Sequence, residues 1–143
     1  MTDQRNEVDN ADPISEQDPY PRIKSGTYDV VCLGTKVYWS TAFRRRVCRL
    51  DCQLLDERTR VCGFFNLGSE KLPKAGRKSL YWRVWVMANG EQPRKRQRLS
   101  RSVFVDKFFR VRIAEVTKRY DNTEASEPEI YSTIQEWIAC IGP

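Results

Sequence analysis

The chain has 143 residues, 40% hydrophobic and 11% aromatic, which suits one compact domain with its own core plus a tail. Its formal charge is +6 with no histidine. That absence removes the commonest general base, the His-based triads and the mixed Cys/His zinc sites.

Residues 1–20 are acidic and polar. Asp3, Glu7, Asp9, Asp12, Glu16 and Asp18 against Arg5 leave this segment at −5, so the remainder carries +11 of the total. A core this basic points to a polyanionic partner such as nucleic acid. The segment is expected to be a disordered tail, with the domain spanning 21–143. It has no apolar stretch of the kind that opens a secretory signal, and no run in the chain approaches the ~18 apolar residues of a membrane span. A cytoplasmic protein without membrane contact is expected.

"SGTYDVVCLGTKVYWS" (25–40) reads as a first strand, interrupted at Gly34 by a bulge or bend. "RRVCRLDCQLLD" (45–56) alternates with period two and reads as a second strand. "DERT" (56–59) is a turn, and "RVCGFFNLG" (60–68) a third strand. After a loop, "SLYWRVWVMANG" (79–90) reads as a helix in preference to a strand, which its Tyr, Trp and Val would also suit. Ser79 is its N-cap, Gly90 its stop, and Leu80, Val84 and Met87 recur with Tyr81, Trp85 and Ala88 at helical spacing. A basic loop (91–102) precedes a fourth strand within 103–121, where Phe109, Val111 and Ile113 alternate with Arg110 and Arg112. Residues 130–142 fit either a last strand or a helix, because Ile134, Trp137, Ile138 and Ile141 suit a helical face. The fold class expected is mainly β: a five-stranded OB-like Greek-key barrel with a helix between strands 3 and 4.

The five cysteines at 32, 48, 52, 62 and 140 contain no CxxC. Cys48 and Cys52 share a strand face, about 13 Å apart at ~3.3 Å per residue. That is too far for one metal or a mutual disulfide. They are expected to fill the core as small hydrophobes, with no metal and no cofactor. The carboxylates Asp51, Asp106 and Glu115 are not spaced as a two-metal cluster, and no catalytic set emerges.

The binding candidates are cations interleaved with rings. Lys36, Tyr38, Trp39, Arg44, Arg45, Arg46 and Arg49 cluster around the first hairpin. Cations neutralise phosphates and rings stack on unpaired bases. Phe64 or Phe65 on the third strand adds a ring. Arg94, Lys95, Arg96, Arg98 and Arg101 fall within the basic loop as a phosphate clamp, and Arg110 with Arg112 extends the groove along the fourth strand.

"GTYDVV", "FFNL", "SLYWRVWVMANG", "LSRSVFVDKFFRVRIAEVTK" and "IYSTIQEWI" together resemble OB-fold single-stranded-DNA-binding proteins carried by phages and other mobile elements. The pattern from Ser100 or Ser102 through Phe104, Lys107, Phe109, Val111 and Ile113 is the most recognisable part. In that family it marks a short turn of helix leading into the fourth barrel strand. Where the family carries a glycine before the lysine, this chain has Asp106. Conventional bacterial members carry an acidic C-terminal tail; here the acidic segment is N-terminal and is expected to compete for the basic groove. The resemblance implies a single-strand-binding protein, not an enzyme, of little sequence preference that supports replication or recombination. It allows a homo-oligomer, and replication or recombination proteins as partners. DNA against RNA stays open. The alternative is an adaptor or inhibitor that grips an acidic protein with its basic face.

Overall fold

The computed structural model describes residues 22–69, 75–118, 122–125 and 130–143; the acidic 1–20 segment and its expected role lie outside them. Five strands, β1 (Gly26–Ser40), β2 (Arg45–Leu54), β3 (Arg60–Asn66), β4 (Phe108–Val116) and β5 (Tyr131–Gly142), form one antiparallel sheet in the order β3-β2-β1-β4-β5. One α-helix, α1 (Leu80–Asn89), follows β3, and a 3-10 turn (Arg101–Val103) leads into β4. β1 is long enough to serve two ladders. Gly26–Val31 pairs with β4 and Val30–Ser40 pairs with β2.

A bulge divides β1. The register passes from Cys32 opposite Cys52 to Gly34 opposite Asp51, leaving Leu33 unpaired. The interruption expected at Gly34 is therefore centred one residue earlier. Its consequence is a change of face: Val30 and Cys32 point inward before it, while Thr35 and Val37 lie opposite the inward Leu50 and Cys48 after it. The backbone of Cys32 turns to the segment before β4, accepting from Asp106 N–H at 2.8 Å and donating to the Lys107 carbonyl at 2.9 Å. Asp106 itself adopts φ 65°. A short polar side chain tolerates that left-handed conformation, so the tight turn forms without a glycine at this position.

On β2 the period-two pattern is fully expressed, with Cys48, Leu50, Cys52 and Leu54 all buried. Helix α1 forms between the signals read from its ends. The Ser79 hydroxyl accepts from Trp82 N–H at 3.1 Å, and Gly90 closes the last turn with φ 86°. Its buried face is Tyr81, Val84, Trp85 and Ala88, packed toward β3 and β5. Phe65 sits at the centre of the core, 5.6 Å from the Tyr81 ring, 5.7 Å from Phe104 and 5.5 Å from Trp137, and Trp137 meets Phe109 edge-on at 5.1 Å. Losing one such ring to alanine typically costs about 3–5 kcal/mol.

The segment left open between strand and helix is a strand. Ile113 faces Ile134, Val111 faces Trp137 and Phe109 faces Cys140, so the register against β4 shifts three times. Gln135, Ile138 and Ile141 fall in the gaps; Ile138 and Ile141 are exposed. The inward residues thus recur every third position, which imitates a helical face. Each bulge adds twist, and the twisted β5 swings toward β3. Thr133 Oγ1 donates to the Cys62 carbonyl at 2.6 Å. A Cβ on Gly63 would lie 2.4 Å from Trp137 Cζ2. Among the described residues the two edge strands meet through these contacts and not through a backbone ladder.

Candidate nucleic-acid interface

The β1–β2 hairpin turns through residues 41–44. Arg44 N–H donates to the Ser40 carbonyl at 2.7 Å, Phe43 N–H donates to Ser40 Oγ at 3.2 Å, and Arg44 takes φ 57°. Ladder partners share a face, so register sorts the basic and aromatic side chains. One face carries the rows Lys36–Arg49–Phe64, Tyr38–Val47–Asn66 and Ser40–Arg45. Trp39 and Arg46 pair on the opposite face. Tyr38 and Trp39, both expected to stack on bases, therefore point to opposite sides of the sheet, as neighbours on a strand must.

An open cavity of about 670 Å³ lies where the hairpin, β3, the start of α1 and the β4–β5 region converge. Five rings line it, Tyr38, Phe43, Phe64, Phe65 and Tyr131, together with Arg45, Asn66 and Gln135; among the described residues no carboxylate does. The Arg45 guanidinium sits 4.7 Å over the Phe43 ring, and that of Arg46 sits 5.8 Å over Trp39. Arg45 Nε and Arg46 Nε are shielded without a hydrogen-bond partner among the described residues. Stacked in this way, each cation keeps its planar group presented and its charge unneutralised. Phe43 is 51% exposed and Trp39 42%. Phe65 also borders the cavity, but it is 0% exposed. It is a core ring and offers no stacking face, which corrects its candidacy; Phe64, half-buried on the other face of β3, remains.

Not all the arginines are brought together. Arg49 Nε lies 2.7 Å from Asp51 Oδ1. Arg110 pairs with Asp29 at 2.9 Å and Arg112 with Glu136 at 3.1 Å, each across a ladder rung. The hydrogen bond to Asp29, and then its charge, raise the Arg110 pKa above the usual value. Asp29 is nine positions from Tyr38 along β1, on the order of 25–30 Å. Arg110 and Arg112 are locally balanced cross-strand pairs and do not extend the cavity. Among the described residues no carboxylate pairs with Lys36, Arg44, Arg45 or Arg46.

The basic loop lies apart, held by helix rings. Tyr81 Oη donates to the Leu99 carbonyl at 2.7 Å, Trp85 Nε1 to the Ser100 carbonyl at 3.0 Å and Trp82 Nε1 to Gln92 Oε1 at 3.3 Å. Arg94, Lys95, Arg96 and Arg98 are exposed, and Arg101 Nη1 donates to Thr35 Oγ1 at 3.2 Å. Sequence reasoning left Tyr131 out of the site, and it missed the cations Arg77, Lys78 and Arg83 around Trp82. The run "GRKS" before a helix cap was the available signal.

The thiols belong to the interior. Cys32, Cys48, Cys52 and Cys62 are buried and Cys140 is half-buried. Burial pushes Cys48 and Cys62 up to about 12. The hydrogen bond to Cys32, followed by burial, pushes Cys52 up as well. Among the described residues no three of Cys, Asp and Glu gather as metal ligands, and no helix is long and apolar enough to cross a membrane. No protein-family model matches the chain, and no curated protein is similar to it.

Proposed function

We propose that the chain is an OB-like single-strand nucleic-acid-binding protein that holds bases in the cavity between the β1–β2 hairpin and the β4–β5 region. The sheet order β3-β2-β1-β4-β5, with β3 and β5 drawn together and α1 between β3 and β4, supports the barrel reading. In such barrels the face of the second and third strands and the flanking loops receive oligonucleotides. The observation that carries the reading is the lining itself: four rings beside the core ring Phe65, and a guanidinium with no carboxylate partner among the described residues, in one open cleft that no described carboxylate lines. Rings accept any base, so little sequence preference is expected. Single-stranded DNA in the replication or recombination of a mobile element is the setting that the sequence resemblance supports.

A titration of fluorescently labelled oligo-dT, followed by anisotropy at several salt concentrations, tests this. An affinity that falls steeply with salt is expected. Absence of binding below millimolar overturns the proposal and leaves the adaptor reading, in which the basic face meets an acidic protein.

A further inference from the structure

We propose that a second phosphate-binding surface, centred on Trp82 of α1, takes over the strand where it leaves the cleft. Two hollows of about 660 and 570 Å³ adjoin and share Arg77, Trp82 and Gln92. Lys78 and Arg83 line the first, and Arg94, Lys95 and Arg96 line the second. Among the described residues neither lining contains a carboxylate and no ion pair involves these cations. Six positive charges on one side of a small domain repel one another, and an anion relieves that repulsion.

The surface is shaped. Trp82 is half-buried, and its Nε1 bond to Gln92 ties the indole across the junction of helix and loop. The loop folds on itself, with Arg94 N–H donating to Gln97 Oε1 at 2.7 Å and Gln97 N–H to the Arg94 carbonyl at 2.9 Å. Arg96 is held at φ 65°, an uncommon conformation for a long side chain. The first turn of α1 contains no acidic residue, so its positive end is unscreened.

Continuity decides the kind of anion. Leu80 lines the first cleft, and its neighbour Ser79 lines the second surface. One helix start separates them, so a chain of phosphates leaving the rings of the cleft meets Arg77 and Lys78 next. A ring set among cations suits a base-bearing polyphosphate strand better than a bare anion. This extension rests on the single-strand reading of the cleft.

The test compares two probes, an oligo-dT of about 5 nucleotides and one of about 16, the span reported for single barrels. The variant is Arg94→Ala/Lys95→Ala/Arg96→Ala, all exposed positions, checked for an unchanged melting temperature. For the long probe the slope of log K against log salt should fall by up to about 2 in the variant, since each lost phosphate contact to a single strand removes about 0.7. For the short probe it should not change. Trp82→Ala should weaken the long probe alone, by at least fivefold. An unchanged long-probe affinity and slope in the triple variant overturns this surface. Failure of the wild type to bind the short probe sinks the cleft reading instead, and the long probe then still reports whether the triple variant loses binding.

Discussion

Gly63→Ala tests the closure of β5 onto β3. The new Cβ would lie 2.4 Å from Trp137 Cζ2 and 3.2 Å from Cη2, against the roughly 3.5–4.0 Å at which carbon atoms rest. The indole has little room to retreat, since Trp137 is buried between Phe65 at 5.5 Å and Phe109 at 5.1 Å. Overpacking of this kind costs about 1–3 kcal/mol. Alanine is better than glycine inside a strand by about 0.5–1 kcal/mol, which offsets part of it. The net expectation is a loss of about 1–2 kcal/mol, a fall in melting temperature of roughly 3–10 °C for a domain of this size. Urea unfolding followed by tryptophan fluorescence should show a lower midpoint with the slope unchanged. Adding Trp137→Phe removes the crowded ring atoms, so the double variant should lose at least about 0.5 kcal/mol less than the two single losses combined. A Gly63→Ala protein as stable as the parent, or more so, refutes the close approach of the two edge strands.

Tyr38→Ala and Phe64→Ala should each weaken oligo-dT binding by about 1–3 kcal/mol, roughly 5–150-fold, with unaltered salt slope, because a ring is lost and no cation; an altered slope with intact affinity would assign those rings no stacking role. Stability should decline above about pH 9. The folded Cys48 and Cys62 keep their protons to about 12, while the unfolded thiols ionise near their ordinary value, so the native state binds more protons there. Each thiol then removes about 1.4 kcal/mol per pH unit, and a flat urea midpoint between pH 8.5 and 10.5 would contradict the burial.

Some of this was written locally in the chain. The alternation from Cys48 to Leu54 needs only the two-residue period of a strand, and the thiols follow as filling. Ser79 and Gly90 bracket α1 because a cap and a left-handed stop act on their own backbone neighbours. The excess of positive charge outside residues 1–20 is a property of composition alone.

Other features belong to the tertiary structure, because they depend on partners far away in the chain. Arg110 looked free until folding set it beside Asp29, 81 residues away. Residues 130–142 fit strand or helix, since Ile134, Trp137, Ile138 and Ile141 suit a helical face, and only the three register shifts against β4 make them a strand that curls toward β3. Composition marked Tyr38 and Trp39 alike, but the bulge at Leu33 decides which of them faces the cleft. Periodicity and capping are short-range energetics that any window of sequence carries. Pairing, face and neutralisation are settled by which strands lie side by side, and that is chosen by the whole core at once.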